Sequence, residues 1–157
     1  MKTQTNFDRM GNKDINVYND WLNSKCNEKC VYELCASVNE YCPYDATQIK
    51  YFPNGGFEMS YIELKGRNFE IDRYEDAIID EYKILDLQRI AKQTKCKVYV
   101  VMLYYPSRKL AIWEIKPDTI YNTETIRCYW HTAAEDGIKK DKVMCKLPLK
   151  EAKKYRF

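Results

Sequence analysis

The sequence predicts an α/β fold in which helices flank a central mixed sheet. Apolar residues recur at three- and four-residue steps over residues 14–41, which is typical of helix. Apolar and polar residues alternate over 57–65, directly after a glycine turn, which indicates a hairpin strand. A near-continuous apolar run over 97–105 is typical of a central strand that is buried on both faces.

The first half of the chain is interpreted as helix, strand, turn and strand. Residues 1–13 are polar and are expected to form a flexible lead, so that residues 14–157 make up a single domain. The helical pattern is expected to break near residues 24–28. A strand over 41–51 should then pair with the strand over 57–65, because a Pro-Asn-Gly-Gly turn separates them.

The second half continues with a helix over 78–95, for which Asp76 is a candidate cap because its side chain can accept a backbone hydrogen bond. The strand over 97–105 turns at Pro106 and should pair with a strand over 110–115. Short strands are expected over 127–130 and 143–147. The resulting order is helix, about three strands, helix and two strands, followed by a basic tail.

Composition excludes some classes of protein and leaves others open. No apolar run approaches the roughly 18 residues that a membrane span needs. The polar N-terminus lacks the apolar core of a secretory signal, so a cytoplasmic location is expected. The formal net charge of +3 neither requires nor excludes nucleic acid as a partner, since a local patch decides phosphate binding.

The seven cysteines are interpreted as reduced thiols, because disulfides are rare in the cytoplasm. A metal cluster is the alternative, with Cys128 and His131 as one possible ligand pair. Iron or zinc analysis of the purified protein separates the two interpretations.

Two carboxylates and a lysine form the strongest chemical pattern. Glu63 and Lys65 are two residues apart and so lie on one face of the predicted strand, while Asp45 lies on the strand before it. Two carboxylates can hold Mg²⁺, which prefers oxygen ligands, and a nearby lysine can stabilise charge that develops on a phosphate. The alternative is a chance occurrence of Glu-Leu-Lys beside ordinary turn chemistry.

This pattern resembles the PD-(D/E)XK nuclease superfamily, which has the restriction-endonuclease-like fold. Asp45 takes the Asp position and Glu63-Leu64-Lys65 the (D/E)XK position, followed by Gly66-Arg67. The resemblance implies an αβββαβ core in a metal-dependent DNA endonuclease. It also implies that Asp45, Glu63 and the Leu64 carbonyl bind Mg²⁺ or Mn²⁺, that Lys65 positions the attacking water, and that cleavage leaves a 5′-phosphate and a 3′-hydroxyl.

Further residues are candidates for the same site. Members often place an additional metal-binding acid on the helix before the Asp strand, and Glu33 is the candidate here, with a solvated helix residue as the alternative. Four basic residues are assigned to DNA binding: Arg67, Lys83, Lys139 and Lys140. Lys83 and the basic tail are equally consistent with solvated surface.

The sequence therefore predicts a small endonuclease acting on duplex or branched DNA, and a homodimer would let it cut two strands. The alternative is a protein that has the nuclease fold without catalysis and serves as a nucleic-acid-binding or assembly module. The mutual positions of the Asp45, Glu63 and Lys65 side chains discriminate between the two.

Overall fold

The structure is a computed structural model that describes residues 6–37, 42–129 and 139–157, and these contain two α-helices and nine β-strands. The helices are α1 (Asn6–Asn23) and α2 (Glu81–Thr94), and a short 3₁₀ helix spans Ile71–Arg73. The strands are β1 (Val31–Ala36), β2 (Ala46–Tyr51), β3 (Phe57–Arg67), β4 (Asp76–Asp80), β5 (Lys97–Tyr104), β6 (Lys109–Glu114), β7 (Thr123–Tyr129), β8 (Lys139–Pro148) and β9 (Lys153–Arg156).

Six strands form the central sheet in the order β1-β2-β3-β5-β6-β9. β3 and β5 are parallel and the other neighbours are antiparallel, so the sheet is mixed. The parallel pair is connected through α2, as parallel strands require a crossover. Leaving β4 aside, the elements α1, β1, β2, β3, α2 and β5 follow the αβββαβ order, which confirms the predicted fold class.

The two helices cover opposite faces of this sheet. Tyr18, Trp21 and Leu22 of α1 pack on one face, against a group of buried sheet residues that includes Ile62 and Leu64. The buried residues of α2 pack on the other face, against Val98, Val100 and Met102 among others. The middle of β3 is therefore buried on both faces, which removes Glu63 from solvent as well as its apolar neighbours.

A second sheet of three strands, in the order β4-β8-β7, lies beside the first. β4 leads directly into α2, and it pairs with β8 from Asp76↔Pro148 to Asp80↔Met144. Leu147 and Cys145 of β8 belong to the same hydrophobic core as α2. The second sheet is thus attached to the core at the start of α2.

The helix predicted over 14–41 is wrong at both of its ends. α1 begins at Asn6, inside the segment that was assigned to a flexible lead, and it ends at Asn23. Residues 31–36 form β1, so Glu33 is a strand residue and not a helix residue. Residues 1–5 and 38–41, like His131, lie outside the described residues. That the chain forms a single domain stays a prediction.

One further expectation needs correction. Asp76 begins β4 and does not cap α2, whose N-cap residue is Asp80. Residues 153–156 of the basic tail form β9 at the edge of the central sheet. The seven cysteines are all free thiols. Neither described helix has the length and hydropathy that crossing a membrane requires.

Candidate active site

Glu63 and Lys65 lie side by side on β3, as strand alternation predicts. Lys65 Nζ is 2.9 Å from Glu63 Oε1. The Glu63 side chain has no exposed surface, whereas that of Lys65 is 33% exposed. The pair therefore presents a buried carboxylate whose lysine partner reaches solvent.

Lys83 in the first turn of α2 contacts the other oxygen of the same carboxylate. Its Nζ is 3.1 Å from Glu63 Oε2 and 3.5 Å from the Pro43 carbonyl oxygen, to which it donates a hydrogen bond. The Lys83 side chain is 18% exposed, so it is not a solvated surface lysine. Glu63 is thus placed between two ammonium groups.

Asp45 lies immediately before β2, where the backbone ladder between β2 and β3 ends. Its amide donates to the Ile62 carbonyl at 2.9 Å, and its carboxylate Oδ2 accepts a hydrogen bond from the Leu64 amide at 2.7 Å. The carboxylate therefore takes the place of a strand partner at Leu64. This contact fixes Asp45 beside the Glu63-Leu64-Lys65 segment.

The Leu64 carbonyl points toward the same edge of β3 as its amide. The N–H and C=O of a strand residue point to the same neighbouring strand, and on this side β2 has ended. The carbonyl oxygen thus faces the Asp45 side of the site, and its role as a metal ligand stays a prediction.

The charged groups of the site shift the pKa values of Glu63 and Lys65. Burial raises the pKa of Glu63 above its usual value, and the nearby Asp45 carboxylate adds to this, while Lys65 and Lys83 oppose it. Burial acts to lower the pKa of Lys65, but the Glu63 and Asp45 carboxylates outweigh it and the net direction is upward. Lys65 therefore stays protonated, whereas the ionised form of Glu63 is destabilised by burial.

These residues fit a divalent cation. Glu63 Oε1 is buried and accepts no well-directed hydrogen bond, even though Lys65 Nζ is close to it. A buried oxygen in that state is costly unless a ligand satisfies it. No cluster of three or more metal-ligating side chains occurs among the described residues. The site offers two carboxylates and a main-chain carbonyl, a donor set suited to Mg²⁺, which keeps several of its waters.

Glu33 is not part of this site. It lies on β1 in register with Ile49 of β2, which in turn pairs with Met59 of β3. Glu33 is therefore two strands away from β3, and its neighbour on β3 is four residues from Glu63. This displacement separates Glu33 and Glu63 by roughly 16 Å. The Glu33 carboxylate instead accepts a hydrogen bond from the Tyr51 hydroxyl at 2.7 Å.

The basic residues that were assigned to DNA binding lie at different depths. Arg67 is partly buried; its guanidinium donates to the Ile78 carbonyl at 2.9 Å, and both Arg67 and Lys65 line the same cleft. Lys139 and Lys140 are exposed at the start of β8 and lie on opposite faces of that strand.

Asp14 of α1 is a site neighbour that the sequence analysis missed. Its carboxylate accepts hydrogen bonds from the Gly66 amide, at 2.8 Å, and from the Tyr105 hydroxyl. It thereby holds the strand end that carries Lys65. The one feature of the sequence that could have indicated this contact is the glycine at position 66. A side chain there would occupy the space of the Asp14 carboxylate.

Comparison with known proteins gives little more. No family model and no curated protein matches the chain. Among solved structures, the chain is similar to Hjc, a Holliday junction resolvase from the archaeal hyperthermophile Archaeoglobus fulgidus. The TM-score is 0.44 at 16% sequence identity, and the match covers 66% of this chain and 73% of that chain. A likeness of this size does not assign the chain to a family.

Proposed function

We propose that the chain is a metal-dependent endonuclease that hydrolyses phosphodiester bonds in DNA. The observation that supports this best is the fully buried Glu63 carboxylate, which is paired with the Lys65 and Lys83 ammonium groups, while the Asp45 carboxylate is fixed at the adjacent Leu64 amide. A site of this composition is costly to maintain in a folded protein, which favours a catalytic over a structural role.

The cofactor in this proposal is Mg²⁺, or Mn²⁺ in its place, held by Asp45, Glu63 and the Leu64 carbonyl. When bound, it supplies a Lewis acid that stabilises charge on the scissile phosphate. The two carboxylates are balanced by Lys65 and Lys83, so a divalent cation gives the site a net positive charge. That charge favours the binding of an anionic phosphodiester.

Lys65 is the residue that positions the attacking water. Its raised pKa keeps it protonated, so it donates hydrogen bonds and does not act as a base. The oxygen of the water bonds to phosphorus and the water gives up one proton to solvent, while the bond from phosphorus to the 3′ oxygen breaks and that oxygen takes up one proton from solvent. The products are a 5′-phosphate and a 3′-hydroxyl.

The candidate DNA contacts remain Arg67, Lys83, Lys139 and Lys140. A homodimer remains the simplest way for one such site per chain to cut two strands.

The test is a cleavage assay with Mg²⁺ or Mn²⁺ on supercoiled, linear, single-stranded and four-way-junction DNA. Glu63→Gln and Lys65→Ala should each lower the rate on the order of a hundredfold or more, because each removes a charge from the reacting centre. Glu58→Gln on exposed β3 surface and Lys97→Ala at the start of β5 are matched controls and should cut normally. Folded protein that binds DNA but cuts none of the four substrates would contradict the proposal and favour a binding module.

A further inference from the structure

A cleft of about 780 Å³ opens between the two sheets, directly beside Lys65. One wall is formed by the carboxyl ends of β3 and β5, with Lys65, Arg67 and Tyr104. The other wall is the second sheet, from which alternate residues of β7 and β8 face inward. Its volume lies within the roughly 300–1,000 Å³ that small-molecule sites occupy.

The interior of this cleft is largely apolar and aromatic. Phe69, Ile71 and Met144 are among the residues that line it. The Phe69 ring makes edge contacts with Tyr104 and Tyr74, at centroid distances of 5.9 and 5.4 Å. Tyr74 is 54% exposed, so one aromatic ring remains accessible to an occupant. Such walls suit a flat ring system.

The two lysines that line the far wall are each paired with a carboxylate of the same wall. Lys142 Nζ lies 3.3 Å from Asp80, and Lys146 Nζ lies 2.6 Å from Glu124. These four side chains neutralise one another in pairs, and Glu75 and Asp76 add two carboxylates to the lining, so the far wall offers no excess positive charge to an anion. The occupant that this wall fits is uncharged, with polar edges that can exchange hydrogen bonds with the paired groups.

At the near wall the cleft shares a residue with the candidate active site. Lys65 lines the cleft, and its Nζ contacts Glu63. A ligand that places a neutral ring in the cleft therefore has its attached groups within reach of Lys65. A nucleotide joins such a ring to a phosphate through one sugar.

We propose that this cleft binds a nucleobase that is turned out of its stack in DNA, so that the adjoining phosphate lies at Lys65. The inference rests on the proposed function and adds the class of substrate. Displacing a base costs least where the nucleotide is already unpaired. The enzyme should therefore prefer DNA with unpaired nucleotides, at branches, gaps or single-stranded segments, over fully paired duplex.

The first test fills the cleft. Ile126 of β7 lines it, whereas Thr125 is the next residue, is exposed and lies on the opposite face. Ile126→Trp should reduce the ratio of cleavage rates on gapped and fully paired DNA about tenfold or more, the order expected when a stacked base is lost. Thr125→Trp should leave the ratio unchanged. An unchanged ratio in Ile126→Trp, with cleavage intact, overturns the inference and leaves the nuclease proposal standing.

The second test needs no substitution and no cleavage. Cys128 also lines the cleft, whereas Cys35 is exposed on β1, on the distant edge of the central sheet. Without added metal, a gapped oligonucleotide should slow alkylation of Cys128 by iodoacetamide at least fivefold relative to fully paired duplex, and should not slow that of Cys35. Mass spectrometry of the peptides gives both rates.

The two readouts separate the two proposals. Protection of Cys128 in a protein that cuts no DNA supports the base cleft and contradicts the nuclease. Cleavage with equal alkylation of Cys128 in both DNAs overturns the cleft and supports the nuclease. Absence of both cleavage and protection contradicts both.

Discussion

Glu63 is a carboxylate held in the protein interior by two lysines, and burial still raises its pKa. The folded protein therefore binds the Glu63 proton more tightly than the unfolded chain does. Above the raised pKa the ionised side chain costs stability. As the pH falls from there toward the ordinary carboxyl pKa, the free energy of unfolding should rise through this group.

Glu63→Gln isolates this contribution. At neutral pH the variant should unfold at the same or a higher urea concentration than wild type, because a neutral amide replaces a charge that is costly to bury. The advantage of the variant should shrink as the pH is lowered toward 4.5, the ordinary pKa of glutamate. A variant that is clearly less stable than wild type at pH 7 would show that the two ion pairs outweigh burial.

The sequence predicted Glu63 and Lys65 as neighbours because strand alternation alone places them on one face. Asp45 could be predicted only to lie nearby, since its hydrogen bond to the Leu64 amide depends on where the β2 ladder stops. The contact of Lys83 with Glu63 could not be predicted, because it depends on how α2 packs on the sheet. Contacts within a strand follow from spacing, and contacts between elements require the packing.

At the scale of elements, α1 approaches β3 most closely at Gly66, in addition to its apolar packing on that strand. A Cβ atom at Gly66 would lie 2.6 Å from Asp14 Oδ1 and 3.0 Å from the Tyr105 ring, so Gly66→Ala must displace Asp14. We expect a loss of about 1–3 kcal/mol in the free energy of unfolding, as hydrogen bonds to a partly buried carboxylate are broken. Chemical denaturation measures it. In a double-mutant cycle of Gly66→Ala and Asp14→Ala, the two losses in the free energy of unfolding should be strongly non-additive. Additive losses would show that Gly66 acts through another contact.

β8 allows the DNA-binding surface to be located. Lys140 faces the side on which Lys142 and Lys146 line the cleft, and Lys139 faces away. If DNA lies along the cleft, Lys140→Ala should reduce the slope of log affinity against log salt by about 0.9, the value for one lost phosphate contact. Lys139→Ala should leave the slope unchanged. If the slopes of log affinity against log salt are equal in the two variants, the DNA does not lie along the cleft.

The segment of 31–36 shows why some elements could not be read from the sequence. Val31, Leu34 and Cys35 recur at helical spacing, yet the segment pairs with β2 as a strand. All six residues of the segment pair with β2, from Val31↔Tyr51 to Ala36↔Ala46, and this tertiary pairing overrides a short local pattern. The runs over 57–65 and 97–105 were predictable because their patterns are longer and less ambiguous.

At the scale of the whole molecule, the C-terminal segment packs against the first helix and the central sheet. Tyr155 of β9 lies against Trp21 of α1, with 5.1 Å between ring centroids, and Phe157 lies 6.1 Å from Tyr105. β9 also pairs with β6 from Lys109↔Arg156 to Ile112↔Lys153. The C-terminal segment is therefore part of the central sheet, in addition to being basic.

Deleting residues 150–157 should accordingly lower the free energy of unfolding, in addition to any effect on DNA binding. The deletion removes an edge strand and two aromatic contacts, and we expect a loss of at least about 2 kcal/mol, the order for one large apolar side chain taken out of contact. Lys153→Ala with Lys154→Ala is the matched control, since it removes two exposed charges and should change stability by no more than about 0.5 kcal/mol. Thermal unfolding compares the two. A truncated chain as stable as wild type would show that β9 contributes only positive charge for DNA binding and no stability. The salt dependence of DNA binding by the double variant would then measure the contribution of that charge.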